Sequence, residues 1–299
     1  MRELQAVGGE DGVLGRLMAD LTSGAKFKSA LYSMSGNKLV MRGGGRTEVD
    51  FLSAGGAARF ASYTDVKAGV DNFTAFKSGS ALAEQFLGAF DASLRSTNAI
   101  GENIEKAQLE SDAWPASPDT FVSQLQMIAK AIKSDIADRK SERAGFYVDQ
   151  SSRGLTWDSH GSMDISGGLN ILDGGVGGLM AELKAQGVWD NVTIVVVSEF
   201  GRTLTGNAQG TDHGWGGNYW MGGGAVRGGR VLGKFPEQFT GEDAEVLLGR
   251  GRVLPSTPFD AMWRGIAQWM GVQNTSNVLP NSPRFPPEQL FSASDLFAS

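Results

Sequence analysis

The chain has 299 residues, enough for one large α/β domain or two small ones, and its composition is 41% hydrophobic and 20% charged, as in an ordinary globular protein. A net charge of -6 argues against nucleic acid as a partner, because nucleic-acid binders present a basic face. The absence of cysteine excludes disulfides and thiolate metal sites. No apolar run reaches the ~18 residues that a membrane span needs. Met1 to Gln5 lack the apolar core of a signal peptide, so we expect no export signal.

Hydrophobic periodicity predicts helices and short strands in the first half of the chain. Helices are predicted over 11–22, 80–107 and 118–139, and strands over 27–33 and 38–41. The two strands are expected to form a hairpin around Gly36 and Asn37. Each long helix carries an apolar stripe that we expect to face the core. The stripes are Leu82, Phe86, Leu87, Phe90 and Leu94 in the first, and Val122, Leu125, Ile128, Ala129, Ile132 and Ile136 in the second.

The second half begins with a predicted strand, helix and strand. They cover 144–148, 166–186 and 192–197, long enough for a right-handed parallel crossover. A strand over 218–221, a short hairpin partner over 230–233 and a helix over 259–270 are predicted to follow. The last helix has a core stripe of Met262, Trp263, Ile266 and Trp269. Residues 272–299, which are rich in proline, are expected to form an irregular tail.

The strand 192–197 is continuously apolar, without a polar face. Such a strand is normally buried between helix layers, as in the parallel sheet of an α/β protein. Ligands in these folds lie just beyond the carboxyl ends of the strands. Glu199 and Arg202 follow this strand directly, and Asp212 and His213 can fold back over it. We therefore predict a polar site at this end of the strand.

The two histidines of the chain occur in similar contexts. His160 and His213 each follow an acidic residue within two positions, Asp158 and Asp212, and each precedes a glycine. A single histidine is more often a structural residue, but this shared pattern favours one polar site. Neutral imidazole and carboxylate ligate zinc, manganese and related ions, and the same groups carry acid–base chemistry.

Glu199 and Arg202 each have two interpretations. Glu199 is either a metal ligand or base, or a structural residue that forms a cap or a salt bridge to Arg202. Arg202 either binds an anionic substrate, since guanidinium matches phosphate or sulfate oxygens, or forms that same salt bridge. Ser198 and Thr203 are expected to orient Glu199 or a ligand. We do not predict either as a nucleophile, because no strand here leads into the Gly-x-Ser-x-Gly elbow of serine hydrolases.

These residues also carry a resemblance to a known family. Residues 187–203, which read GVWDNVTIVVVSEFGRT, and 210–214, which read GTDHG, resemble the domain-of-unknown-function family 1501. The loop TWDSHG at 156–161 and the glycine-rich stretch 222–233 match it as well. The resemblance is most specific from Gly145 to Pro236.

That family is similar to the alkaline phosphatase and sulfatase superfamily. The resemblance implies a single α/β domain over 1–299, with a largely parallel or mixed sheet sandwiched between helices. It also implies metal-dependent cleavage of phosphate or sulfate esters on an anionic small molecule or glycan. By position, the ligands of a divalent ion (zinc, manganese, magnesium or calcium) are Asp158, His160, Glu199 and His213. Asp212 would then orient His213, and Arg202 would clamp the anion.

The chain departs from the superfamily pattern at two places. Phe200 stands where many members have a histidine ligand, which puts a two-metal site in doubt. The family's first strand and its arginine-glycine-glycine-x-aspartate-glycine loop are not found, nor is the export signal that members usually carry. We therefore expect the chain to lack this segment. Because a missing edge strand leaves an open sheet edge, we also expect self-association through that edge. The alternative function is a catalytically inactive binding or structural protein that keeps the fold. A metal that serves folding alone is less favoured, because it would not need Arg202.

Overall fold

A computed structural model of the protein describes residues 11–23, 26–36, 38–43, 48–57, 63–138, 141–150, 157–162, 164–239, 244 and 246–298. The helices are α1 Val13–Thr22, α2 Tyr63–Thr74, α3 Ala81–Lys106, α4 Thr120–Asp138, α5 Ser166–Ala185, α6 Phe259–Met270 and α7 Ala293–Leu296. The strands are β1 Ser29–Ser33, β2 Asp50–Ser53, β3 Gly56–Ala57, β4 Arg143–Tyr147, β5 Thr193–Val196, β6 Gly201–Gly206, β7 Thr211–Gly214, β8 Trp220–Gly223, β9 Leu247–Leu248 and β10 Arg252–Val253.

The largest sheet has four strands in the order β3-β2-β1-β4. Strand β1 runs parallel to both β2 and β4, and β3 is antiparallel to β2. Neighbouring residues of β1 point to opposite faces, and each face has its own core. Leu31 packs with residues of α1 and α6, whereas Tyr32 packs with residues of α3, α4 and α5. The prediction of a mixed α/β protein with a parallel sheet is thus confirmed.

The predicted hairpin of 27–33 with 38–41 is wrong. Residues Leu39–Met41 form a 3-10 helix, and the partners of β1 come from β2 and β4. The 3-10 turn is held against α1, since the backbone N–H of Gly12 donates to the carbonyl of Arg42 at 2.9 Å and Met41 is fully buried in the same core. Apolar residues in this stretch therefore cover α1 and do not extend the sheet.

The predicted parallel crossover into 192–197 is also not formed. Strand β5 pairs antiparallel with β8, and in the described part of the chain these two strands make a sheet of their own. All four residues of β5 are half-buried, where full burial was expected. The apolar run has a different explanation. Ile194 packs against the core of α4 and α5, while Val195 packs against the core of α1 and α6, so both faces of β5 meet apolar neighbours.

The apolar stripe of α3 lies largely on the surface, contrary to expectation. Phe86 is 62% exposed and Phe90 is 37% exposed, whereas Leu87 is only 7% exposed. Besides Leu87, α3 buries Ile100 and Ile104 near its C-terminal end, where they pack with residues of α4. In α4, the predicted stripe is buried as far as Ala129, then becomes half-buried at Ile132 and exposed at Ile136.

The predicted core stripe of α6 does pack inward, and Trp263 and Ile266 are buried. Residues beyond α6 form three 3-10 turns and α7, and they contribute Val278, Leu296 and Phe297 to the same core. No strand forms over 230–233, where a hairpin partner was predicted. None of the helices in the described ranges is long and apolar enough to cross a membrane.

Candidate metal centre

The β6–β7 hairpin brings together the residues that follow the central strand. Its register places Arg202 directly opposite His213, with an irregularity between Arg202 and Gly206. The turn is closed by Asn207, whose side-chain oxygen accepts from the backbone N–H of Gln209 at 3.0 Å and of Gly210 at 2.6 Å. Such a turn is typical of asparagine, whose amide replaces a backbone acceptor. The hairpin therefore places Arg202 of β6 beside His213 of β7.

The loop 157–162 is bound to this hairpin. A guanidinium nitrogen of Arg202, Nη2, donates to the carbonyl of Trp157 at 2.6 Å. Gly210 lies so close to His160 that a Cβ atom would be 2.8 Å from the His160 carbonyl oxygen. Any larger residue at 210 would push the loop away. The two predicted histidine loops, distant in sequence, are therefore neighbours.

Three predicted ligands converge at this contact. Oδ1 of Asp158 lies 2.7 Å from Nε2 of His213 and 2.9 Å from Nε2 of His160. The two Nε2 atoms are 3.2 Å apart. We call Asp158, His160 and His213 the ligand triad. It is the group that, within the described residues, has the spacing needed to hold a metal ion.

No placement of hydrogens on the two imidazoles gives all three atoms of the ligand triad a favourable partner. If both Nε2 atoms carried hydrogen, two N–H groups would face each other at 3.2 Å. If either lacked hydrogen, its lone pair would face the carboxylate oxygen of Asp158 within 3 Å. Two imidazole nitrogens and one carboxylate oxygen form a donor set that zinc and manganese accept. One cation in place of the protons would remove both repulsions.

Other groups hold the two imidazole rings from behind. The ring of His213 stacks on Phe200, with centroids 4.1 Å apart and planes 7° from parallel. The carboxylate of Asp212 approaches His160, with Oδ1 at 3.5 Å from Nδ1. We expected Asp212 to orient His213. The strand explains the difference, because adjacent residues of β7 point to opposite faces.

Arg202 contacts Asp158 at 3.4 Å, and not Glu199 as the alternative interpretation held. The guanidinium also donates to the carbonyl of Thr211 at 3.2 Å and lies 4.9 Å from the ring centre of Phe200. With its bonds to Trp157, Arg202 therefore joins the loop of Asp158 to the strand of His213.

Comparison with known families shows to which family this chain belongs. The sequence matches the profile of a family described as Protein of unknown function (DUF1501) over residues 4–246. The chain belongs to this family. The match includes every residue of the ligand triad, together with Phe200, Arg202 and Asp212. Searches of the curated proteins and of the solved structures gave no match.

In this DUF1501 chain, Glu199 is not part of the ligand triad. Its side chain is exposed, and its charge acts on Tyr147 at the end of β4. Burial, followed by the negative charges of Asp149 and Glu199, raises the pKa of Tyr147 to about 12. Ser198 donates to the carbonyl of Phe200 at 2.9 Å and so shapes the turn into β6. The assignment of Glu199 as a ligand stays a prediction.

Thr203 acts on Asp212 through the backbone. Its hydroxyl accepts from the Asp212 N–H at 3.1 Å and donates to the Thr205 carbonyl at 2.9 Å. The carboxylate of Asp212 accepts from the side-chain amide of Asn207 at 3.2 Å. Thr203 is among the residues expected from sequence, but Asn207 is not; its place in a Gly/Asn/Gln loop before Asp212 is the signal that could have marked it.

Arg250 is the other site residue that sequence reasoning missed. Its guanidinium pairs with Oδ2 of Asp212 across 38 residues of chain. No local pattern marks it, because it follows neither a predicted strand nor a motif.

The pKa values of both site carboxyls lie below their usual range. For Asp158 the main cause is the hydrogen bond with His213, supported by the nearby His160 and Arg202. For Asp212 it is the hydrogen bond from Asn207, with Arg250 and His160 contributing. Both carboxylates are thus held in the charged form that a cation or a cationic partner requires.

Proposed function

We propose that this protein is a metal-dependent hydrolase of phosphate or sulfate esters, with Asp158, His160 and His213 as metal ligands. The observation that carries the proposal is the convergence of three donor atoms within 3.2 Å of one another. The resemblance of the same loops to the alkaline phosphatase and sulfatase superfamily supports it. On that resemblance we also propose that the mixed α/β architecture is of the alkaline phosphatase type.

The donor set favours zinc or manganese among the four ions that the resemblance allows. Magnesium and calcium prefer oxygen ligands throughout, whereas two of the three donors here are imidazole nitrogens. Ligand atoms of a tetrahedral zinc stand about 3.3 Å apart, since each bond is about 2.0–2.1 Å long. The spacings of 2.7, 2.9 and 3.2 Å in the ligand triad require only a small expansion to fit.

The residues around the ligand triad have separate tasks in this proposal. A bound ion would polarise the ester and lower the pKa of a coordinated water. Asp212 holds the ring of His160, and Phe200 holds that of His213. Arg202, permanently charged and partly exposed beside Asp158, supplies positive charge for an anionic ester. Its bonds to the Trp157 and Thr211 carbonyls fix the direction of the guanidinium.

The alternative, an inactive binding or structural protein, has one observation in its favour. Glu199 lies outside the ligand triad, so within the described residues the triad offers three protein ligands and no fourth. Three ligands leave an open position of the kind that catalytic zinc sites keep, and this argues for the enzyme. A binding protein would take up metal without turning over esters.

The deciding experiment combines metal content with turnover. The purified chain is reloaded with zinc or manganese, measured by elemental mass spectrometry, and assayed on aryl phosphate and aryl sulfate esters. We expect about one equivalent of metal and turnover of one ester class, with both lost in Asp158→Asn. Asp164→Asn, which changes an exposed carboxylate six residues further along the chain and outside the ligand triad, is the matched control. Metal uptake without turnover would favour the inactive protein, and a folded chain that takes up no metal would overturn the proposal.

A further inference from the structure

Arg250 has an unusual backbone and an unusual partner. In the described part of the chain it is the non-glycine residue with positive φ, at φ 66° and ψ 24°. This left-handed conformation is unfavourable for a residue with a Cβ atom. The surrounding turn, Gly249–Gly251, lies against β6, where a Cβ on Gly251 would be 2.5 Å from the backbone nitrogen of Thr205. A strained residue that persists in a tightly packed turn indicates a functional constraint.

The side chain of Arg250 contacts Asp212, a residue that itself contacts the ligand triad. Its guanidinium pairs with Oδ2 of Asp212, while Oδ1 of the same carboxylate faces Nδ1 of His160 at 3.5 Å. The amide of Asn207 donates to Oδ1 as well. The carboxylate is therefore held from one side by Arg250 and offers its other oxygen to the ring.

We propose that Arg250 is a positioning residue: through Asp212 it keeps the proton of His160 on Nδ1 and leaves Nε2 free to bind metal. The inference rests on the proposed function in taking His160 as a ligand, but the position of the proton is a property of the metal-free protein. The assignment also gives Asp212 a task different from the one expected from sequence.

The geometry favours this proton position in the neutral ring. Of the two imidazoles, His213 has its Nε2 atom closer to Oδ1 of Asp158, at 2.7 Å against 2.9 Å for His160, so we take that nitrogen as the donor. A second hydrogen on Nε2 of His160 would face the first across 3.2 Å. A hydrogen on Nδ1 instead faces the charged carboxylate of Asp212 at 3.5 Å, and the Nε2 lone pair that it leaves 2.9 Å from Oδ1 of Asp158 is on the side where a cation would bind. Ligating histidines commonly donate their second ring N–H to a carboxylate, which fixes both the tautomer and the ring orientation.

The first test reads the proton directly by nuclear magnetic resonance. Long-range ¹H–¹⁵N spectra of the imidazoles report the tautomer, and the two histidines of the chain give two ring systems, which His213→Gln assigns. The metal-free protein is measured near pH 8, above the ordinary imidazole pKa of about 6.5. We expect the Nδ1–H form for His160, changing to a mixture in Arg250→Gly. An Nε2–H ring in the wild type, or an unchanged spectrum in the variant, would overturn the inference.

The second test separates positioning from structure. Arg250→Gly removes the ion pair but relieves the left-handed strain, so the melting temperature should not fall. Zinc affinity should nevertheless weaken by about tenfold, the range seen when such outer partners of ligands are lost. Arg250→Lys, which keeps the charge, should recover most of the affinity. Arg252→Ala is the control, since this nearby guanidinium donates to the carbonyl of Gly249 and not to Asp212.

The two proposals fail in different ways. Wild-type affinity in Arg250→Gly would contradict the positioning role while leaving the metal site intact. A wild-type protein that binds no zinc would contradict the proposed function, and the proton position of His160 in the metal-free spectra would then decide the inference about Arg250 by itself.

Discussion

The imidazoles of His160 and His213, 53 residues apart in the chain, meet with their Nε2 atoms 3.2 Å from each other. One carboxylate oxygen, from Asp158, lies within 3 Å of both. The contact arises because the loop 157–162 rests on the β6–β7 hairpin, where Gly210 permits close approach. It makes the two histidines interdependent.

Replacing either histidine should remove the metal. His160→Ala and His213→Ala each leave one imidazole and Asp158, too few protein donors for a tight zinc site. We expect the metal content of each variant, measured by elemental mass spectrometry, to fall from about one equivalent to near zero. The melting temperature without metal is the control, because both side chains are partly exposed. Retention of metal in either variant would show that the ligand triad is not the binding site.

The ligand set expected from sequence includes Glu199, whereas the ligand triad does not. Its carboxylate acts on Tyr147 and lies outside the ligand triad. Glu199→Gln should therefore change zinc affinity by less than about twofold, whereas loss of a true ligand or its hydrogen-bonded partner weakens binding by tenfold or more. Competition with a chromogenic chelator measures this. A large loss of zinc affinity would show that Glu199 is a ligand, and the turn at 198–200 would then have to move to bring it to the metal.

Glu182 should make stability depend on pH in the acid range. The side chain is fully inaccessible, and its carboxylate accepts from the backbone N–H groups of Glu110 and Ser111 at 2.8–3.0 Å and from Gln186. Burial alone would raise the pKa of Glu182, but these hydrogen bonds outweigh it, so the pKa lies below 4.5. A carboxyl with a lowered folded-state pKa stabilises the fold above its unfolded pKa, and this contribution disappears as pH falls through the folded value.

Glu182→Gln should consequently destabilise the protein near neutral pH by about 1–3 kcal/mol, because the amide cannot accept at both positions. The difference from wild type should shrink as pH falls below 4.5. Urea unfolding across this range measures it. Glu102→Gln, on the exposed side of α3, is the matched control. A constant difference at all pH values would mean that the charge of Glu182 is not what holds the 110–111 turn.

Two neighbours on α3 test its orientation. Leu87 is 7% exposed and Phe86 is 62% exposed. Leu87→Ala should cost about 2–4 kcal/mol, as large-to-small changes in a core do. Phe86→Ala should cost less than about 1 kcal/mol, since it loses mainly the stacking on Phe90. Chemical denaturation of both variants gives the comparison. If Phe86→Ala were the more destabilising variant, the inward-facing stripe that the sequence predicts would be supported instead.

Local sequence patterns predicted much of the secondary structure. The periodic apolar residues of α1, α4 and α6 and the β-branched run of β5 identify these elements, because periodicity reflects which side of a segment is covered. The paired Asp/His/Gly patterns likewise indicated one site for His160 and His213. These signals are contained within a few residues, so no knowledge of the fold is needed to read them.

The tertiary structure decided how those segments meet. Strand β5 pairs with β8 and lies between two cores, which an apolar run cannot reveal. The contact of Asp212 with His160 depends on how the loop 157–162 packs against the β6–β7 hairpin. Arg250 enters the site only because the Gly249–Gly251 turn packs on β6. Each of these is a contact between segments distant in sequence, and such contacts follow from how the whole chain packs.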